Sequence, residues 1–331
     1  GRKFRTSAAR FGRSRSEAAL DESRRLILNA VSLAYYNVQF ARESIRISEA
    51  DETFNQRQLK EAKSRHEVGT GSLSDTLNFE VRIRAAQSAL LESQRNSELA
   101  LIALTRLMGV RYESIPDGLS VDELAVAIEG EIALPDKTDA IMYSFENRPD
   151  LREIRRALDQ TDANVKVNRS NYFPTLTASA SLDGTGDTNR QERAFFRKEN
   201  VSRTIALRLQ YDIYSGGARQ ARLHESKAIH KEFQHILDGQ EIAVAAEVRE
   251  ALQNLDTAQR LLALQRETTS LVEENRDLVE KEYNAGQGSL VRLNQAQRDL
   301  ISQQASYAFA RVSLKQSWIN LHTATGAILQ R

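Results

Sequence analysis

Cysteine is absent from this 331-residue chain, which excludes disulfide bonds. Its absence fits an oxidising compartment whose proteins use no disulfides, but it fits the cytoplasm equally well. Basic and acidic residues are nearly balanced, at 46 and 45, which argues against a nucleic-acid partner held by bulk charge. No apolar run approaches the roughly 20 residues that a membrane-spanning helix needs.

Proline and aromatic residues are also scarce. The four prolines lie between positions 116 and 174, and aromatics make up 6% of the chain against 27% charged residues. This composition favours long helices over a compact sheet protein. The sequence has no Walker loop, zinc-protease motif or nucleophile elbow. The histidines at 224, 230 and 235 do not share a helix face and are interpreted as surface residues. The sequence therefore offers no motif of an enzyme active site or a metal site.

An internal repeat relates the two ends of the chain. A shift of 217 residues, without a gap, aligns Val31 with Val248 and Asn37 with Asn254. The same shift aligns the turn at 69–73, GTGSL, with the turn at 286–290, GQGSL. An ungapped match over this length indicates one structural unit that is used twice.

Each copy spaces its apolar residues in steps of four and three. The first set is Ile27, Val31, Ala34, Val38, Ala41 and Ile45, and the second is Val244, Val248, Ala251, Leu255, Ala258 and Leu262. A period near 3.5 is typical of helices that supercoil against their neighbours. Periodicity alone does not exclude a long antiparallel coiled coil with no further role.

The repeated turn predicts how the helices of each copy are joined. Gly69 follows the last periodic residue and is placed to adopt the left-handed conformation that ends a helix. Ser72 is the predicted N-cap of the next helix, and Asp75 follows it with the spacing of a capping box. We predict a helical hairpin in each copy, with helices at about 3–67 and 73–107 in the first.

The pattern divides the chain into six segments. They are a first helical hairpin (1–109), an equatorial mixed segment (110–136), a helix (137–171), a β-hairpin (172–215), a second helical hairpin (216–326) and a C-terminal end (327–331). Pro149 marks a break or a first-turn position in the helix at 137–171. We expect the segment 110–136 to wrap the outside of the helices at mid-height.

The β-hairpin is predicted from a change of period to two. Polar residues alternate with Leu176, Ala178, Ala180 and Leu182, and later with Ile205, Leu207, Leu209, Tyr211 and Ile213. One interpretation is a surface hairpin that packs on helices. However, the helices already form their own seams, and a lone hairpin is marginal in water. The alternation therefore favours a transmembrane β-barrel completed by strands from elsewhere.

Five motifs resemble the TolC-like outer-membrane efflux and secretion channels, in their order and spacing, over essentially the whole chain. They are RPDL (148–151), YFPTLTASASL (172–182), LQYDIYSGGARQA (209–221), YNAGQGSLVRLNQAQRDL (283–300) and WINLHTATG (318–326). The resemblance implies a homotrimer whose twelve-stranded β-barrel in the outer membrane continues into a twelve-helix α-barrel across the periplasm. It also implies a water-filled pore with no cofactor and no chemistry, so we expect no enzymatic activity, cofactor or metal.

Each protomer of such a trimer would supply four strands, whereas this sequence shows two. By the 217-residue shift, Gly1 corresponds to Ala218, directly after Gly216 and Gly217. We therefore expect that a helix, the first β-hairpin and a signal peptide precede Gly1, and that the chain is a truncated protomer.

The resemblance implies that the hairpin tips close the periplasmic end of the pore and meet an adaptor protein and an inner-membrane transporter. The candidate aperture residues are Asp75, Arg292 and Gln295. The candidate tip turns and adaptor contacts are Gly69, Gly71, Ser72, Gly286, Gly288 and Ser289. The β-hairpin starts at Pro174 and is left at Gly216 and Gly217.

Asp75 and Arg292 are equivalent in the repeat but opposite in charge. The helix dipole favours Asp75 and disfavours Arg292 by about 0.3–1 kcal/mol, which an exposed arginine tolerates. Alternatively, Arg292 pairs with Asp75 of the same or an adjacent protomer and holds a closed state. The best-known family members carry aspartates at the positions of Arg292 and Gln295, so we predict a weaker cation preference here. Arg208 and Asp212 would face the barrel lumen, although a structural ion pair explains them equally well.

Two functions remain. The first is a passive exit channel of a tripartite efflux or type I secretion system, in the outer membrane and extending into the periplasm. Its partners would be two further copies, a periplasmic adaptor (membrane fusion) protein, an inner-membrane transporter of the RND, MFS or ABC type and outer-membrane lipid, with no nucleic acid. The alternative is a soluble coiled-coil scaffold or tether. The strand alternation favours the channel.

Overall fold

The computed structural model describes residues 2–110, 121–124, 133–184 and 201–330. The helices are α1 (Arg2–Glu67), α2 (Leu73–Leu107), α3 (Lys137–Asn147), α4 (Pro149–Ser170), α5 (Ala218–Asn284) and α6 (Leu290–Thr325), followed by a 3₁₀ turn at Ala327–Gln330. The strands are β1 (Thr175–Gly184) and β2 (Val201–Gln210). The prediction of a mainly helical chain with one small antiparallel sheet is confirmed. Within these residues, no helix combines the length and apolar character that crossing a bilayer requires.

The chain divides into two compact units. Unit 1 comprises Gly1–Ala18 and Arg152–Gly239, and unit 2 comprises Ala19–Leu151 and Gln240–Arg331. Unit 1 therefore contains the β-hairpin, whereas unit 2 contains the α1–α2 and α5–α6 turns.

The heptad positions form the core of unit 2. Ala34, Val38 and Ala41 of the first copy are buried, and so are their counterparts Ala251, Leu255 and Ala258. The second set packs against α6 through Leu314 and Leu321. Ile27 departs from the pattern, because 54% of its surface is exposed. The predicted period thus identifies the packed face of the helices, apart from that position.

Two separate helices cover the region predicted as one helix at 137–171. Arg148, between α3 and α4, has extended backbone angles of φ −70° and ψ 128°. Steric clash with the proline ring disfavours a helical conformation for the residue before a proline, which ends α3. Pro149 is the first residue of α4, a position where its missing N–H costs no hydrogen bond.

The assignment of 110–136 as an equatorial segment stays a prediction, since 111–120 and 125–132 lie outside the described residues. The part at 121–124 packs on helices of unit 2. Val121 and Leu124 are buried, Gln39 donates to the Asp122 carbonyl at 3.0 Å, and Arg311 donates to the Leu124 carbonyl.

The packed side chains of unit 1 are small. Within its described residues, the buried ones are Ala8, Ala18, Ala157, Thr161, Ala163 and Ser226. Thr161 Oγ1 lies 3.0 Å from Nδ1 of His230, which is only partly exposed at the surface of the unit. His224 and His235 are exposed.

The β-hairpin is shifted relative to the predicted strands. The second strand was expected at 205–213, but β2 ends at Gln210, which pairs with Thr175. The next pair in this register would join Tyr211 to Pro174. Proline has no N–H to donate to the ladder, so pairing stops there.

The register gives the hairpin one apolar and one polar face. Leu176 pairs with Leu209, Ala178 with Leu207 and Ala180 with Ile205. Every residue of β1 is exposed, and Leu207 and Ile205 of β2 expose 71% and 86% of their surfaces. The interpretation of a hairpin that packs its apolar face on the protein's own helices is therefore wrong for this chain.

Candidate functional site at the helical hairpin tips

Two glycines shape each turn, for different reasons. Gly69 and Gly286 both have φ of +76°, a left-handed conformation that side chains disfavour. A Cβ on Gly71 would lie 2.8 Å from Cβ of Arg65, and one on Gly288 would lie 2.9 Å from the Tyr283 nitrogen. The first glycine ends the helix, and the second lets the chain pass close beside the last helical turn.

Serine caps the returning helix in both turns, but the first cap differs from the prediction. Ser72 Oγ accepts from the N–H of Ser74, at 3.1 Å, rather than from that of Asp75. The predicted capping box between Ser72 and Asp75 is thus not formed. Ser289 Oγ accepts from the N–H of Arg292, at 3.3 Å. Because the Ser72–Asp75 capping box is not formed, the Asp75 carboxylate is available for another partner.

Aromatic packing joins the two hairpins near their turns. Phe79 of α2 and Tyr283 of α5 meet edge to face, with 6.4 Å between ring centroids. Phe79 is fully buried and Tyr283 is 8% exposed. This cluster also contains Phe54, Ala62, Val279, Leu293 and Ala296. The tips of this chain are therefore held together by a small apolar core of their own.

Tyr283 receives polar contacts from both sides of the first turn. Its hydroxyl donates to Oδ2 of Asp75 at 3.1 Å. The Arg65 guanidinium lies 5.2 Å from its ring centroid and donates to Asn284 at 2.8 Å. Burial, and after it the charge and hydrogen bond of Asp75, raise the pKa of Tyr283 from 10.0 to about 12. The phenol therefore remains a hydrogen-bond donor throughout the physiological range.

Arg292 does not pair with Asp75 of its own chain. Its guanidinium lies 2.8 Å from the Glu282 carboxylate, in the same hairpin, and both side chains are largely exposed. The intrachain form of the predicted Arg292–Asp75 pair is not formed in this structure. Gln295 donates to Asp299 at 2.7 Å along its own helix. The structure thus brings Asp75 to Tyr283, and it keeps Arg292 and Gln295 in contacts within the second hairpin.

The repeat explains the exchange of charge at the turns. Under the 217-residue shift, Arg65 corresponds to Glu282 and Asp75 to Arg292. Each hairpin carries one acid and one base at these positions, with the order reversed. In the second hairpin Glu282 and Arg292 form an ion pair with each other. In the first hairpin Asp75 and Arg65 both contact Tyr283 instead.

Sequence reasoning missed Tyr283, Arg65 and a buried arginine centre. Reversal of charge at 65 and 282 was a signal that could have drawn attention to Arg65. Arg148, 2% exposed, binds the carboxylates of Asp150 and Glu247 and donates to the Ala324 carbonyl at 3.1 Å. It therefore joins the RPDL and WINLHTATG motifs, whose spacing in the sequence gave no sign of contact.

The arginine centre stabilises the end of α6. Arg25 donates to the Thr323 carbonyl at 2.7 Å, beside the Arg148 contact with Ala324. Cations at a helix C-terminus are favourable to its dipole. Burial opposes ionisation of Asp150, but the hydrogen bond and charge of Arg148 outweigh it and hold the pKa of Asp150 below its usual value.

The exit of the β-hairpin is organised by a third arginine. Gly216 and Gly217 have φ of +59° and +81°, which begins α5 with a sharp turn. Arg219 donates to the carbonyls of Asp212 and Ile213, and its guanidinium lies 5.6 Å from the ring centroid of Tyr172. Asp212 thus meets Arg219 through its backbone. Within the described residues, Arg208 and Asp212 form no ion pair with each other.

Comparisons with known proteins agree with this architecture. The chain is 26% identical to the probable efflux pump outer membrane protein TtgC of Pseudomonas putida, over 94% of the chain and 62% of that protein. It is 24% identical to the pyoverdine export outer membrane protein OpmQ of Pseudomonas aeruginosa, over 91% of the chain and 61% of that protein. The chain thus spans about three fifths of the length of these relatives.

Solved structures show the same fold. The outer-membrane channel OprN superposes with a TM-score of 0.83 at 19% identity, covering 99% of this chain and 72% of that one. The Campylobacter jejuni CmeC outer membrane channel gives 0.79 at 18% identity, covering 96% and 66%. A sequence model of the family described as "Outer membrane efflux protein" matches residues 1–110 and 142–327. The chain belongs to the outer membrane efflux protein family.

Proposed function

We propose that the full-length protein is a passive exit channel of a tripartite efflux or type I secretion system. The observation that carries the proposal is the β-hairpin, whose entire apolar face is exposed in the isolated chain. Exposure of this apolar face to water would be unfavourable. A strand of a transmembrane β-barrel, in contrast, needs an apolar face toward the lipid. The polar face, with Thr177 opposite Arg208, would line the pore.

The edges of the same hairpin support assembly into a closed barrel. Two strands leave unpaired N–H and C=O groups on both outer edges, and bilayers admit sheets only as closed barrels. Further strands, from the rest of the polypeptide and from two more copies, would close the barrel as a homotrimer. The alternative of a soluble coiled-coil scaffold finds no support in the family match.

The tips of the helical hairpins would form the closable periplasmic aperture. Asp75, Arg292 and Gln295 lie beside the turns, and the Tyr283–Asp75 hydrogen bond joins the two tips within one chain. A periplasmic adaptor protein would contact the turns, and an inner-membrane transporter of the RND, MFS or ABC type would supply the substrate. TtgC is named as an efflux pump protein, and a further relative, AprF of Pseudomonas aeruginosa, 22% identical over 96% of this chain, is named as an alkaline protease secretion protein. The proposal therefore includes both kinds of cargo.

The hairpin provides a matched test in the full-length protein. Leu207→Lys places a charge on the apolar face, which at mid-membrane costs about 2–4 kcal/mol, whereas Ala206→Lys places it on the polar face. We expect Leu207→Lys to lower the membrane-assembled fraction severely and Ala206→Lys to leave it near the unmodified level. Planar-bilayer recordings of the unmodified protein should show channels. A soluble protein that tolerates both substitutions and conducts no ions would overturn the proposal.

A further inference from the structure

A basic crevice lies at the foot of the β-hairpin in unit 1. It has a volume of about 920 Å³ and is formed by the start of α1, the end of α4 and the first residues of β1. Four basic side chains line it, and no acidic residue is among the lining residues. The basic residues are Arg2, Arg5, Lys166 and Arg169.

Three of these four cations have no counter-ion among the residues that the structure describes. Lys166 pairs with Asp162 at 2.6 Å. Within the described part of the chain, Arg2, Arg5 and Arg169 form no ion pair, and all three are exposed. Guanidinium groups bind phosphate oxygens in a bidentate manner, so three of them around one crevice suit a phosphate ester.

The apolar part of the crevice lies next to the strand that faces lipid. Phe4, Phe173, Pro174 and Leu176 also line it, and Phe173 and Leu176 expose 69% and 65% of their surfaces. Tyr172 and Tyr214, at the two ends of the hairpin segment, are exposed as well. Aromatic residues concentrate at the level of the headgroups in membrane proteins. The crevice thus combines cations for a headgroup with an apolar rim for acyl chains.

The net charge of unit 1 also favours an anionic ligand. Its sequence holds 21 Lys and Arg against 12 Asp and Glu, although the whole chain has 46 against 45. Basic residues beside a membrane attract anionic lipid surfaces, by about 1 kcal/mol for each Lys or Arg. The excess of basic over acidic residues is therefore concentrated in unit 1, which contains the β-hairpin.

We propose that this crevice binds the phosphate headgroup of an anionic phospholipid in the periplasmic leaflet of the outer membrane. The inference rests on the proposed function, because it requires the hairpin to lie in that membrane. Arg5 and Arg169 would hold the phosphate oxygens, while Phe173 and Leu176 would contact the first acyl methylenes. A free phosphate ion lacks the apolar part and would bind only weakly.

The test uses the full-length protein in nanodiscs that contain phosphatidylglycerol and phosphatidylcholine. Lipids retained after detergent extraction would be counted by native mass spectrometry for the unmodified protein and for Arg5→Gln/Arg169→Gln. The control, Arg10→Gln/Arg222→Gln, removes two exposed cations of the same unit that do not line the crevice. We expect the first variant to lose on the order of tenfold in preference for phosphatidylglycerol, and the control to keep it.

Three results would overturn the proposal. The first is a crevice variant that retains as much phosphatidylglycerol as the unmodified protein. The second is an equal loss of phosphatidylglycerol in the crevice variant and the control, which would indicate diffuse electrostatic attraction. The third is displacement of the lipid by millimolar inorganic phosphate, which would indicate a simple anion site. Bilayer conductance separates this inference from the proposed function. Channels that persist in the crevice variant, with the lipid lost, support both, whereas an unmodified protein that forms no channels refutes the function whatever lipid it binds.

Discussion

Tyr283 of α5 donates its hydroxyl to Asp75 of α2, with 3.1 Å between the oxygens, and so ties one helical hairpin tip to the other. The ring of the same tyrosine packs on Phe79 and lies under the Arg65 guanidinium. A single side chain therefore contributes apolar, cation–π and hydrogen-bond contacts at the place where the proposed aperture would open.

Removal of that hydroxyl should favour opening. Tyr283→Phe keeps the ring packing but deletes the donor to Asp75, a loss of about 1 kcal/mol. We expect a roughly fivefold shift toward the open state in single-channel recordings of the full-length protein, with Tyr214→Phe as an exposed control. Asp75→Ala should act in the same direction and Arg292→Ala should not. If Arg292→Ala opens the channel and Tyr283→Phe does not, an Arg292 contact between protomers holds the closed state instead.

Alkaline pH should weaken the same contact. The pKa of Tyr283 is raised to about 12, so its contribution to stability is complete below pH 10.0 and is lost as the pH rises through about 12. Unfolding free energies of the unmodified protein and Tyr283→Phe, measured from pH 9 upward, should therefore converge over this interval. The difference between the two isolates Tyr283 from the other tyrosines and lysines that titrate there. Parallel curves would show that the tyrosine does not titrate as described.

The close glycines of the turns should not tolerate a methyl group. Gly71→Ala and Gly288→Ala each place a Cβ within 3 Å of a fixed atom, and we expect a destabilisation of about 1–3 kcal/mol. Gly239→Ala is the control, because it lies within α5 with open space around it and should stabilise the helix by up to about 1 kcal/mol. Chemical denaturation gives all three values. Equal effects at the three positions would mean that the close approach at the turns is relieved by a small backbone shift.

The buried Arg148 should be far more costly to remove than an exposed arginine. Arg148→Met leaves the Asp150 carboxylate without its ion-pair partner, for which we expect a destabilisation of about 3–5 kcal/mol. Arg260→Met breaks a surface pair with Asp256 and should cost no more than about 1 kcal/mol. Addition of Asp150→Asn to Arg148→Met should recover part of the loss. If the double variant is less stable than Arg148→Met, the main role of Asp150 is its bond to Gln240 rather than to Arg148.

Acids introduced at the tips should increase cation preference. Arg292 and Gln295 are exposed beside the second turn, and Arg292→Asp/Gln295→Asp would place carboxylates there. In reversal-potential measurements across a salt gradient, we expect weak cation selection in the unmodified protein and a clear increase in the double variant. Arg298→Asp, an exposed position further along α6, should have a smaller effect. Strong cation selection in the unmodified protein would contradict the expectation.

Periodicity and turn chemistry were sufficient to predict most of the fold. The four-and-three spacing of Val38 and its neighbours identified buried positions, because helix packing depends on local spacing along one chain. Gly69 was recognised as a helix end because few residues other than glycine readily adopt a positive φ. The end of β2 was misplaced because it depends on Pro174, the cross-strand partner that the next pair would need, and not on the strand's own alternation.

The contacts at the candidate site were less predictable. Asp75 was taken for a member of a capping box, since spacing from Ser72 is visible in sequence whereas the approach of Tyr283 from another hairpin is not. Arg148 gave no local signal either, because its partners lie at 150, 247 and 324. Contacts between distant segments depend on how the helices pack, and a single sequence does not record that directly.

The reversed order of charge at Arg65 and Asp75 against Glu282 and Arg292 has a consequence for stoichiometry. The two tips share a backbone conformation but present different charges, so the proposed ring of subunits would have two kinds of cleft that alternate around its rim. A ligand that recognises charge would bind one kind and occupy the ring once per subunit. A ligand that recognises only the glycine backbone would bind both and occupy it twice.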